Sequence, residues 1–162
     1  EIGTSLLEED KMPMTLELLK KAEEKGVKFL LPVDVVCAPE FANDSPAEVY
    51  PADGMPADKM GLDIGPKTRE LYRQAILDSK TVVWNGPMGV FEMDNFAAGT
   101  KAIAEALNEC AGTTVVGGGD SAAAARKFDL EANISHISTG GGASLEFLEG
   151  KVLPGVACLL DA

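Results

Sequence analysis

The 162-residue sequence has no apolar run approaching the ~20 residues of a membrane-spanning helix, so the chain reads as having no membrane partner. Its three cysteines, Cys37, Cys110 and Cys158, are an odd number at wide spacings without a CxxC pair. They suggest neither a disulfide framework nor a zinc site, and a reducing, cytoplasmic setting is the expectation. The single histidine, His136, lies in an apolar stretch beside no Ser or Cys arrangement that it could serve as general base, and reads as structural. Positive charge is scarce: 14 Lys and Arg against 26 Asp and Glu give a net charge of −12, with no basic cluster to track a nucleic-acid backbone. The opening Glu1-Ile2-Gly3-Thr4 has neither the basic start nor the apolar core of a signal peptide, nor an initiator Met, and reads as an interior stretch of a longer chain. A Walker A loop is missing too, since Gly150-Lys151 lacks both the earlier Gly and the following Ser or Thr.

What is present is an ordinary globular composition, 46% hydrophobic and 25% charged, in a length that fits one domain over 1–162. Residues 14–25 place Leu16, Leu19 and Ala22 on one helical stripe and stop at Gly26. A short strand over 27–31 and a second apolar run over 33–38 follow. Residues 39–60 carry Pro39, Pro46, Pro51 and Pro56, which reads as a long excursion with an edge strand near Val49. Past Gly61 a strand–turn–helix rhythm sets in: a helix over 67–79 led by Pro66, a strand over 81–84, and a helix over 96–110 with Asn95 as N-cap. Then come strands over 113–116 and 134–138, each feeding a helix, over 121–128 and 143–149. Alternation of this kind implies an α/β fold, three-layer α/β/α around a mainly parallel, Rossmann-like sheet.

In such a sheet every strand-to-helix turn lies at the carboxyl edge, where ligands bind. Two of these turns are glycine triplets opening helices, Gly117-Gly118-Gly119 and Gly140-Gly141-Gly142, and a backbone without Cβ can aim free N–H groups at phosphate. Taken singly, a glycine run is as readily a tight turn. Asp120 directly follows the first triplet; beside a phosphate cradle it calls for an intervening Mg²⁺, although taken alone it reads rather as a helix N-cap or first-turn acid. Gly117, Gly119 and Ala122 satisfy G-x-G-x-x-A, but the acidic ribose ligand of a dinucleotide site is missing at the end of the next strand, residues 135–139.

Three strings, Val82-Val83-Trp84-Asn85-Gly86-Pro87-Met88-Gly89-Val90-Phe91-Glu92, Val115-Val116-Gly117-Gly118-Gly119-Asp120-Ser121 and Ser135-His136-Ile137-Ser138-Thr139-Gly140-Gly141-Gly142-Ala143-Ser144, resemble the phosphoglycerate kinase family in order and spacing. Weaker similarity at 1–6, 31–34, 61–66 and 153–156 extends the resemblance over almost the whole chain. The resemblance implies a two-domain glycolytic kinase that moves phosphoryl between 1,3-bisphosphoglycerate and MgADP, giving 3-phosphoglycerate and MgATP. This chain would cover an incomplete C-terminal, nucleotide-binding domain, without the N-terminal domain that grips phosphoglycerate. Carried over by position, Leu6, Gly61 and Leu62 would line the adenine slot, and Pro87, Gly89 and Val90 would pack on adenine and ribose. Glu92 would accept a ribose hydroxyl. Asn85, Gly118, Gly119 and Ser121 would meet the phosphate chain of ADP or ATP, with Ser121 standing where many relatives have Thr. Asp120 would hold Mg²⁺, and Gly140, Gly141 and Gly142 would face the transferring phosphoryl. The parent would be a monomer. The piece alone is expected to be catalytically silent and open to oligomerisation; a non-catalytic nucleotide-binding or complementing interaction module is the alternative.

Overall fold

Residues 2–159 are described by the computed structural model. Helix α1 (Met12–Glu24) carries Pro13 in its first turn, where a missing N–H costs nothing, and ends before Gly26 at φ +65°. Strands β1 (Asp34–Ala38), β2 (Glu48–Pro51) and β3 (Met60–Ile64) form an antiparallel sheet in the order β2-β1-β3, so the 39–60 excursion has its own sheet. The central strand β1 is buried almost throughout, whereas edge strand β2 is largely exposed. Helix α2 (Pro66–Leu77) follows and packs along α3 (Ala98–Glu109).

The second sheet is parallel, in the order β4-β5-β6: β4 (Thr81–Asn85), β5 (Thr113–Gly117) and β6 (His136–Ser138), with Trp84 opposite Val116 and Val116 opposite Ile137. Helices α3 and α4 (Gly119–Lys127) connect these strands and close one face. There Trp84, Phe91, Ile103, Leu107, Val116 and Ala125 form the main core. Helix α5 (Gly141–Leu148) and the short α6 (Pro154–Ala157) flank the opposite face across an apolar groove of about 580 Å³ between Val83, Val115 and Phe147. A smaller cluster of Val36, Ala38, Leu62 and Phe96 joins the antiparallel sheet to the segment ahead of α3. The α/β class and the parallel sheet flanked by helices therefore hold, with an antiparallel sheet added to them.

Two local expectations fail, the strand over 27–31 and the Asn95 cap. Residues 27–31 form no strand: Val27, Phe29 and Leu31 are more than half exposed, and the Leu30 carbonyl accepts the Tyr72 hydroxyl rather than a ladder amide. An extended segment is stabilised by a hydrogen-bonded neighbour, and none of the described residues supplies one. The helix expected over 14–25 is present as α1, and its apolar stripe buries no residue, Leu16 being 67% exposed. Asn95 does not cap α3; it lies in a 3-10 turn (Asp94–Phe96) and its side-chain amide donates to the Asn43 carbonyl at 2.5 Å.

The caps come from elsewhere. The Asp34 carboxylate accepts the Lys67 and Thr68 amides at the start of α2 (3.0 and 2.8 Å), and Asp63 accepts the Gly99 amide at the start of α3 (2.7 Å). Two acids of the antiparallel sheet thus satisfy orphan donors of two helices distant in sequence, and their negative charge complements the positive helix ends.

Candidate nucleotide site

Because β4, β5 and β6 run parallel, the turns after them meet at one edge. Gly118 adopts φ +103°, ψ +150°, a conformation essentially restricted to glycine, and its amide donates to the Ser138 carbonyl at 2.9 Å. The first triplet is thereby tied to the strand that carries the second. The two triplets touch: a Cβ placed on Gly141 would lie 2.7 Å from the Gly118 Cα. The Asn85 side chain sits between them, its amide nitrogen 3.5 Å from the Gly141 carbonyl.

Helices α4 and α5 both begin at this point. The amides of Gly119, Asp120 and Ser121, and of Gly141, Gly142 and Ala143, are the orphan donors of a first helical turn. No hydrogen bond among the described residues takes them. Asp120 is exposed in the first turn of α4. No group of three or more acidic, Cys or His side chains stands together among the described residues. A lone carboxylate suits a cation that takes its remaining ligands from phosphate and water, as Mg²⁺ does, so Asp120 fits that ion.

Ser121 is 1% exposed, and its hydroxyl oxygen accepts the Gly86 amide at 2.7 Å. This side chain holds the 85–90 turn, an arrangement that the order of residues did not reveal. The Trp84 indole N–H reinforces it by donating to the Gly86 carbonyl at 2.7 Å.

Beyond the turn lie two adjoining hollows. One, about 540 Å³, is lined by Leu6, Phe41, Met60, Gly61, Leu62 and Val90; the other, about 410 Å³, includes Gly61, Leu62, Pro87, Gly89 and Val90. The expected adenine and ribose residues are therefore together, with Leu6 fully exposed at the rim. Glu92 lines neither hollow; it is exposed, and its backbone carbonyl accepts Lys127 Nζ at 3.4 Å. Sequence reasoning missed Phe41, the Ser5 hydroxyl that accepts the Gly61 amide at 2.9 Å, and two buried supports of the turn, Asp63 and Thr100. Asp63 lay in view within the 61–66 string, but nothing in that string shows its partners. Burial pushes the Asp63 carboxyl above its ordinary value, against the opposing pull of the Gly99 and Ile64 amides and Arg69.

The family model for phosphoglycerate kinase matches residues 1–151. Among solved structures, the chain is similar to phosphoglycerate kinase from Coxiella burnetii, at 42% identity and a TM-score of 0.93 over 99% of this chain and 41% of that one. It is also similar to the enzyme from Pyrococcus horikoshii OT3, at 34% identity and a TM-score of 0.72 over 93% of this chain and 38% of that one. The chain thus spans about two fifths of the length of these structures. With triplets, turn and hollows disposed as described and the match running through nearly every residue, the chain belongs to the phosphoglycerate kinase family.

Proposed function

We propose that this chain forms the nucleotide side of a phosphoglycerate kinase that transfers phosphoryl between 1,3-bisphosphoglycerate and MgADP, yielding 3-phosphoglycerate and MgATP in glycolysis. The observation that carries the reading is the contact between the two glycine triplets beside an apolar slot, which offers amides for polyphosphate next to a hollow for a base. Adenine packs between Leu6, Gly61, Leu62 and Val90; Pro87 and Gly89 border the ribose, with Glu92 near a ribose hydroxyl. The bare Gly118 backbone, the Gly119 amide and the Asn85 side chain meet the phosphates, and Ser121 fixes the turn that presents Asn85. Gly140, Gly141 and Gly142 face the phosphoryl in transfer. Asp120 would hold Mg²⁺, which neutralises phosphate charge when bound. The protein's part is alignment and electrostatic support, since this transfer needs little covalent help.

Phosphoglycerate is gripped by an N-terminal domain outside the 162 residues, so the isolated chain binds MgADP weakly and turns nothing over. Removing one catalytic cation from a phosphoryl-transfer site can lower the rate by on the order of 10³–10⁵. A cytoplasmic setting and a monomeric parent accord with this role, and among the described residues no helix is long and apolar enough to cross a membrane. Calorimetry on the chain with MgADP up to millimolar concentrations, followed by mixing with a complementary N-terminal half, tests the proposal. Heat of binding and recovered turnover support it; no binding at millimolar MgADP rejects the cradle. A second reading, a non-catalytic complementing module, draws on the exposed apolar surface of α1 and α5, and predicts that the halves associate without turnover.

A further inference from the structure

Two residues with buried side chains hold the wall between base and phosphate: Thr100, which lines neither hollow, and Asp63, which borders the second one. The Asp63 side chain is 0% exposed; Oδ2 accepts the Gly99 amide at 2.7 Å, Oδ1 accepts the Ile64 amide at 2.8 Å, and Arg69 Nη2 stands 4.0 Å away. A Cβ on Gly89 would lie 2.3 Å from Asp63 Oδ1, so the turn backbone rests directly on this carboxylate. Thr100 is 0% exposed and its single hydroxyl oxygen accepts both the Met88 and Gly89 amides, at 3.1 and 3.2 Å. The Val90 amide donates to the Leu62 carbonyl at 2.9 Å. At its other end the same turn is held by Ser121 of α4 through Gly86.

The turn from Gly86 to Val90 is therefore a strut. One end is anchored to the first glycine triplet's helix, the other to β3 and the start of α3. We propose that Thr100 and Asp63 are positioning residues whose buried side chains set the span between the base hollow and the phosphate cradle by holding the turn backbone. The inference rests on the nucleotide reading above. A side chain that loses the Thr100 acceptor leaves two half-buried amides without their protein partner, so the turn relaxes toward solvent and the hollow bounded by Pro87, Gly89 and Val90 loses its fixed distance from Gly118 and Gly141. A misplacement of about 1 Å can cost on the order of 10²-fold.

The test uses full-length protein carrying Thr100→Val, which is isosteric but cannot accept, and Thr100→Ser, which keeps the oxygen. Leu107→Ala, in the main core away from both hollows, serves as a control for general destabilisation. MgADP affinity by calorimetry and amide exchange at Met88 and Gly89 by NMR are read at a temperature where all variants are folded. Thr100→Val weakens MgADP about tenfold and speeds exchange at both amides by about tenfold, while Thr100→Ser and Leu107→Ala stay within about twofold of the parent. Unchanged affinity in Thr100→Val, or an equal loss in Leu107→Ala, overturns the positioning role while leaving nucleotide binding intact. Absence of MgADP binding in the unsubstituted protein overturns the nucleotide reading and this inference together. Should Thr100→Val not fold, Asp63→Asn carries the same test: its amide nitrogen cannot accept, so either Gly99 or Ile64 loses its partner and affinity falls.

Discussion

Gly141→Ala and Gly119→Ala separate the packing of the two triplets from their approach to phosphate. On Gly141 the new Cβ meets Gly118 Cα at 2.7 Å, Gly118 N at 3.0 Å and Asn85 Nδ2 at 3.4 Å. Carbon atoms prefer roughly 3.5–4.0 Å, so the triplets must part by about 1 Å, and the atoms in the way are backbone. Overpacking costs typically ~1–3 kcal/mol, against ~1 kcal/mol gained in helix propensity. The net loss of about 0–2 kcal/mol lowers Tm by no more than ~8 °C in a chain of this size. A displacement of about 1 Å can cost on the order of 10²-fold in catalysis or binding, so function suffers far more than stability.

On Gly119 nothing lies within 4 Å of the new Cβ, and its backbone is already helical. Thermal stability is therefore unchanged or slightly raised, by up to about 1 kcal/mol. Yet the methyl group occupies the space through which the amides reach phosphate, and MgADP affinity falls at least ~10-fold. Differential scanning fluorimetry and calorimetry on the two variants read both effects. Gly119→Ala with unaltered MgADP affinity would falsify the claim that these amides contact polyphosphate. Gly141→Ala with unaltered affinity would show that the spacing of the triplets is immaterial.

Further expectations follow from the buried caps and the open surfaces. Burial opposes ionisation of Asp34, but the Thr68 side chain and the Lys67 and Thr68 amides outweigh it and hold the carboxyl below 3.8. Its stabilisation is present above pH ~4 and lost as pH falls through the lower folded value, so urea titrations of the parent and Asp34→Asn should differ by about 2–3 kcal/mol at pH 7 and converge in strong acid. Asp63 runs the other way: held above 3.8, its ionisation removes stability as pH rises from 3.8 through its folded value, and a carboxyl NMR titration that finds it at or below 3.8 contradicts this. Thr68→Val strips the acceptor from the Val33 and Asp34 amides, both at 3.0 Å, and a donor from Asp34; Tm should fall by roughly 6–12 °C, corresponding to about 3 kcal/mol, and a fall under 2 °C would count against the network. Strand β4 offers an uncharged edge, Thr81 to Trp84, with Val83 41% exposed; the isolated chain should self-associate in sedimentation runs and Val83→Lys should suppress it, whereas a monomer at every concentration refutes an unguarded edge.

Much of this architecture was legible because its cues are local. Pro66 opens α2, Gly26 follows α1, and three apolar strands each run into a glycine-bearing turn, so the parallel sheet and the convergence of its turns could be read from order alone. The residues expected around adenine, Leu6, Gly61, Leu62 and Val90, do line one hollow. The local rule applied to the start of α3 failed: Asn95 stands near α3 in sequence, yet the cap arrives from Asp63, and α2, whose start Pro66 does mark, is capped by Asp34. A carboxylate 30 or more residues away leaves no mark on the helix it serves. Residues 27–31 misled for the complementary reason, since strand propensity was present and a pairing partner among the described residues was not.

Composition and order by themselves determined the α/β class, the shortage of positive side chains, and the family signature in the three glycine-bearing strings. Only the tertiary structure decided that Gly118 and Gly141 touch, that the Ser121 hydroxyl holds a turn, and that Asp63 and Thr100 brace the backbone of that same turn. The physical reason is range. Periodicity and turn chemistry act over a few residues and are written along the chain, whereas a buried hydrogen bond is defined by a partner brought near only when the sheets assemble.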